Sequence, residues 1–266
     1  MQAIALNGVA VAMNQATFAW GRRAAADPDF VIDAAKPAVH PAPAALDDLG
    51  ALVEHRVQLL TAYHSAAYAA RYRDVVQSVA LVESGRLRGM TGLAETVART
   101  LYRLMAYKDE YEVARLYADP AFRRNLQAQF DGNYRLEFNL APPLFAKRDP
   151  ATGHLVKQTY GPWLLTAFRV LAAFRRLRGT WLDPFGHTEE RRMERRLIGE
   201  YESLVRRIVA DVTPENHAVA IELAGAAEQI RGYGHIKQQS IARAKAAEAR
   251  LLARFQHSEP VLVAAE

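Results

Sequence analysis

The 266-residue chain contains no cysteine. That excludes disulfides, thiolate nucleophiles, Cys-ligated zinc and any iron–sulfur cluster held by this chain. It also lacks an uninterrupted apolar run of the ~20 residues that a membrane span requires, so no membrane partner is expected. Its N-terminal stretch MQAIALNGVAVAMNQATFAWGRRAAAD is apolar, but Arg22 and Arg23 follow the apolar run instead of preceding it, and Asn7, Asn14 and Gln15 interrupt it. This is the reverse of a secretory signal. No G-x-S-x-G elbow, Walker loop or H-E-x-x-H occurs, and no repeat of 20–50 residues is present. The charge excess is small, +5 from 34 basic and 29 acidic residues, and does not point to nucleic acid.

What is present is ordinary globular composition, half of it apolar, with strong helical periodicity. The expected fold is mainly α, a helical domain with one small β-hairpin or sheet insertion. Residues 1–26 read as a lone helix with Val9, Met13, Ala16 and Trp20 on one face. Residues 27–45 carry Pro28, Pro37, Pro41 and Pro43 and read as an extended linker. A helical domain is expected over 46–257, followed by a flexible tail, 258–266. Within it, apolar spacing predicts helices over 46–84 and 93–117, and Asp119-Pro120 restarts a short helix. The partly alternating Asn133–Leu140 and His154–Tyr160, joined by the turn Asp149–Gly153, supply the β insertion near 133–160. An amphipathic helix follows at 163–178, with Trp163, Ala167, Val170, Leu171, Phe174 and Leu177 facing one way. Thr188 caps the next helix, Thr213-Pro214 starts another, and the last runs from His235 to about Gln256.

Four features are candidates for chemistry. In LMAYKDEYEVARLY, the stripe Val97, Leu101, Leu104 projects onto Lys108, Tyr111 and Arg115, with Asp109 and Glu112 alongside. Lys108, Asp109, Glu112 and Arg115 are either a partly buried ion network that docks the helix or an acid/base site; the network is the preferred reading. In Arg231-Gly232-Tyr233-Gly234-His235-Ile236-Lys237, two glycines open a helix beside three basic residues. That arrangement either binds an anion through Arg231, Gly232, Gly234, His235 and Lys237 or is a helix–helix turn. Arg169, Arg175, Arg176 and Arg178 form a cationic run that either docks an acidic partner or is a solvated face. His187 and Glu190 lie at i, i+3, but no third ligand is spaced to join them, so no metal site is assigned. Asp183-Pro184-Phe185-Gly186 is not a kinase motif, since proline follows the aspartate. No catalytic residue is assigned from the sequence.

Five blocks in order, LMAYKDEYEVARLY, LEFNLAPPLFAKRDPATG, DPFGHTEERRMERRLIGEYE, VTPENH (Val212–His217) and IRGYGHIK, resemble the C-terminal, functionally undefined region of the long fused indolepyruvate ferredoxin oxidoreductases. The leading AIALNGVAVAMNQATFAWGR resembles the closing segment of the γ-type oxidoreductase domain that precedes it. The resemblance implies a cytoplasmic piece of an enzyme that decarboxylates aryl-2-oxo acids oxidatively. That enzyme uses thiamine diphosphate, magnesium, an iron–sulfur cluster and coenzyme A, and passes electrons to ferredoxin. Its thiamine-binding G-D-G motif and its cluster cysteines have no counterpart in this sequence, so no cofactor is expected on this chain. The implied role is an accessory or assembly domain. Its partners would be the catalytic thiamine and γ-type domains, a second protomer in a homo-oligomer, and ferredoxin. A phosphate, coenzyme A or ferredoxin-docking module is the alternative.

Overall fold

A computed structural model describes residues 1–35, 48–87, 89–130, 132, 134–140 and 156–257. The chain divides into two units, Met1–Leu46 and Asp47–Glu266.

Among its described residues the first unit holds three helices: α1 (Gln2–Asn7), α2 (Val11–Ala26) and α3 (Pro28–Ala35). The expected single helix is broken at Gly8, whose φ of 69° ends α1 in the left-handed region. The expected linker begins as a helix instead. Asp27 accepts a hydrogen bond from the Phe30 amide at 3.0 Å, and Pro28 takes the first helical position, where its missing N–H costs nothing. Residues 36–45 of that linker lie outside the described residues, as does the 258–266 tail. Trp20 stacks on Phe30 with centroids 6.4 Å apart, yet Leu6, Val9, Met13, Phe18 and Ile32 are exposed.

The second unit is helical. α4 (Leu49–Tyr63) and α5 (Ala66–Arg86) replace the single helix expected over 46–84. The chain turns at His64-Ser65, where the Ser65 hydroxyl accepts from the Tyr68 amide and caps α5. α6 (Leu93–Met105) is the centre of the core: Leu93, Ala94, Val97, Ala98, Leu101 and Met105 are wholly buried. It touches α4, α5, α10 (Glu189–Asp211) and α11 (His217–Gly225), and α12 (Gly234–Gln256) packs on α11. Thr188 caps α10 as expected, its hydroxyl accepting from the Arg191 amide. α11 starts at His217, three residues later than Pro214, the expected first helical position. Asn216 ties the entry by accepting from the Thr213 amide at 2.8 Å and donating to the Asp211 carbonyl at 3.1 Å.

A satellite layer holds α7 (Glu110–Ala118), α8 (Pro120–Gln129), the hairpin β1 (Phe138–Leu140) and β2 (Gln158–Tyr160), and α9 (Leu164–Ala173). The strands pair antiparallel with Phe138 opposite Tyr160. The expected turn at Asp149–Gly153 lies outside the described residues. Two short strands need a surface to lie on. Ala114 of α7, Phe138 of β1 and Phe168 of α9 form a buried cluster covered by Tyr117, Leu136, Leu140, Tyr160, Leu164 and Leu171. The Tyr117 ring stacks on Phe168 at 5.2 Å and meets Phe138 edge-on at 5.2 Å. α9 is apolar on nearly every side, and its buried face is Leu164, Leu165, Phe168, Leu171 and Ala172. The expected face is corrected: Trp163, Ala167, Val170 and Phe174 are exposed.

Candidate functional site

The continuous helix expected over 93–117 does not form. α6 ends at Met105, residues 106–109 cross to α7, and the Asp109 carboxylate caps α7 by accepting from the Glu112 amide at 2.8 Å. The projected charged stripe therefore splits. Glu112 and Arg115 pair within α7 at 2.7 Å. Lys108 is exposed, its ammonium 5.8 Å from the Tyr233 ring centroid, and no described contact joins it to Glu112. Asp109 turns inward, 4% exposed.

Its partner is Arg178, 5% exposed, which the sequence grouped with a surface run. Arg178 Nε and Nη2 both donate to the Asp109 carboxylate, the second at 2.9 Å, and Nη1 donates to the Tyr63 carbonyl. The guanidinium lies 3.7 Å from the centroid of the Tyr63 ring. A buried arginine survives only where its charge and its donors are met, and this geometry meets both. Burial opposes the charge, but the Asp109 carboxylate and the neighbouring tyrosines outweigh it and raise the Arg178 pKa further.

The surrounding groups are fixed as firmly. The Tyr63 hydroxyl donates to the Tyr107 carbonyl at 2.9 Å, and the Tyr68 hydroxyl to the Met105 carbonyl at 3.0 Å. Burial, with Asp109 next for Tyr63 and Tyr107 next for Tyr68, raises both phenol pKa values, so both hydroxyls stay protonated donors. His64 Nε2 faces the Arg178 carbonyl at 3.3 Å, an acceptor only, so this nitrogen carries the proton; Nδ1 then accepts from the Ser65 hydroxyl at 3.1 Å. Burial first and the Arg178 charge second lower the His64 pKa.

Asp183, set aside in the sequence as a failed kinase motif, is 2% exposed and organises a turn. Its Oδ2 accepts from the Gly179 amide at 2.7 Å, and its Oδ1 from the Phe185 amide at 3.1 Å and the Tyr111 hydroxyl at 3.0 Å. An aspartate followed by proline, with glycine at the fourth position, is a turn signal in which the aspartate caps its own turn, and it could have found Asp183. Glu110, which the sequence reading passed over, pairs with Arg191 at 3.2 Å. Farther off, the buried Glu83 carboxylate accepts from the Leu93 and Ala94 amides at 2.7 and 3.0 Å, capping α6 from another helix, with His217 Nε2 3.4 Å away. No apolar periodicity signals such a cap.

The candidate anion loop is tied internally. Lys237 donates to the buried carboxylate of Glu194 on α10, and the Arg231 amide donates to the Ser240 hydroxyl at 3.0 Å. Gly232 has a φ of 92°, and a Cβ there would meet Ile236 Cγ2 at 2.7 Å. The glycine thus serves a tight turn into α12. Gly234 opens that helix, Arg231 is exposed, and the His235 side chain lies outside the described residues. The cationic run is dispersed: Arg169 and Arg176 are exposed, Arg175 is half-buried and Arg178 is in the core. Among the described residues no three His, Cys, Asp or Glu side chains group to hold a metal ion, and no described helix is long and apolar enough to cross a membrane.

The molecule is thus a mainly α chain with one hairpin, whose most distinctive charged side chains join helix to helix. It belongs to DUF6537, a family of unknown function, whose model matches residues 49–250. No curated protein and no solved structure matches it.

Proposed function

We propose that this chain is an accessory module of a thiamine diphosphate-dependent 2-oxoacid:ferredoxin oxidoreductase. In this reading it braces the catalytic domains or pairs protomers in the cytoplasm, and the thiamine, metal and cluster chemistry is supplied by those other domains. One observation carries the reading: three of the sequence blocks that resemble the indolepyruvate enzymes are spent on one another. Tyr111 and Glu110 of the first block bind Asp183 and Arg191 of the third, and Glu194 of the third binds Lys237 of the last. Side chains so engaged fix the register of helices and are not free for a substrate. The exposed Trp163, Val170 and Phe174 add apolar area of the kind that associating surfaces present.

The test is reconstitution. The chain is mixed with separately produced thiamine and γ-type domains of such an enzyme, and complex formation is followed by sedimentation velocity. A stable complex is expected, weakened at least tenfold by Val170→Asp with Phe174→Ser. Turnover of an aryl-2-oxo acid by this chain alone, or indifference of the complex to that double substitution, overturns the reading.

A further inference from the structure

We propose that a cleft between α8 and α9 binds a phosphate-bearing small ligand through Arg123, Arg124 and Arg169. The cleft has a volume of about 470 Å³ and is lined by Ala118, Pro120, Arg123, Arg124, Gln127 and Arg169. Pro120, Arg123, Arg124 and Gln127 stand at i, i+3, i+4 and i+7, so α8 turns one continuous face to the cleft, and α9 contributes Arg169. This goes beyond the assembly role, which needs no small ligand.

Charge makes the argument. Most arginines elsewhere in this unit with a described polar partner sit against carboxylates: Arg71 with Glu202, Arg99 with Glu95, Arg115 with Glu112, Arg191 with Glu110. None of the three cleft arginines forms an ion pair with a described residue. The nearby Asp119 carboxylate is committed to capping α8, accepting from the Ala121 amide at 2.8 Å. A second cleft, between α10 and α12, shows the contrast: its Lys245 is held by Glu200 at 2.9 Å and Glu248 at 3.1 Å, so that charge is already neutralised. Three like charges converging on one concavity repel each other, and an entering anion relieves that repulsion. Guanidinium forks match phosphate oxygens in pairs of parallel hydrogen bonds, and the Gln127 amide adds a neutral donor. The volume exceeds that of one phosphate and falls in the range of organic ligand pockets, which favours a diphosphate or phosphate ester over a lone ion.

Titration calorimetry of the full chain with inorganic pyrophosphate and with ADP, in about 20 mM salt, tests the site. Saturable binding is expected, weakening about tenfold or more as salt rises toward about 200 mM, because salt screens the attraction between the arginines and the anion. Arg123→Ala with Arg169→Ala should lower affinity at least tenfold, Arg→Lys at the same positions should restore part of it, and Arg176→Ala should leave it unchanged. Arg123, Arg169 and Arg176 are all exposed, so the variants keep the fold, checked by circular dichroism. Absence of saturable heat at millimolar pyrophosphate and ADP overturns the proposal. So does binding that the double alanine variant retains, and so does binding confined to an acidic peptide such as polyglutamate. None of these outcomes bears on complex formation with the catalytic domains.

Discussion

Asp109 and Arg178 stand 69 positions apart in the chain and share a buried, two-pronged ion pair, with the arginine also holding the Tyr63 carbonyl at the end of α4. One guanidinium thus joins the start of α7, the end of α4 and the segment after α9.

Removing one partner strands the other. Asp109→Ala should destabilise the chain by about 3–5 kcal/mol in urea denaturation, because the Arg178 charge is left buried without compensation. Replacing both, Asp109→Leu with Arg178→Met, should cost less than the sum of the two single changes. Lys108→Met, on the exposed neighbour, should change stability by no more than about 0.5 kcal/mol. Additive single effects would mean that the pair is not coupled.

Acidification should act through His64. Its folded pKa lies below the ordinary value of 6.5, from burial and then from Arg178. The unfolded chain therefore binds more protons in the window just below that value. Stability from this group is present above about pH 6.5 and is lost as pH falls through the folded pKa. His64→Gln should flatten that part of a stability-versus-pH curve measured by urea midpoints between pH 7.5 and 5. An unchanged slope would remove His64 from the account.

Gly232 has two reasons to be glycine, a φ of 92° and the Ile236 methyl 2.7 Å from where a Cβ would sit. Gly232→Ala should cost about 1–3 kcal/mol by the same measurement, through left-handed strain and overpacking. Adding Ile236→Ala should return the packing part and leave the strain.

Glu83 caps α6 from across the core, accepting from the Leu93 and Ala94 amides. Glu83→Ala should leave two buried donors unmet and cost about 2–4 kcal/mol, at one to two per donor. In hydrogen exchange, the first turn of α6 should lose protection before the rest of the helix.

Much of the fold could be read in advance because it depends on near neighbours. Thr188 and Asp119-Pro120 start helices through contacts within three residues, and the mainly α class with one hairpin follows from apolar spacing. Breaks were harder. His64-Ser65 and Ala106–Asp109 interrupt apolar patterns that run on without a glycine or proline, so only the caps betray them. Of the candidate site residues, the Glu112–Arg115 pair is visible at helical spacing, whereas Asp109 and Arg178 lie in separate stretches that no local pattern joins.

The sequence by itself determined the mainly α class, where several helices begin, and that no thiolate or cysteine-bound cluster belongs to this chain. Tertiary structure alone decided which distant charges meet and which face of α9 turns inward. The reason is physical: periodicity and capping are set by the local backbone, but α9 is apolar on nearly every side, and only the position of Ala114, Phe138 and Tyr117 selects Phe168 for burial over Phe174. Likewise an arginine is driven into the core only when a distant carboxylate and a carbonyl are already there to receive it.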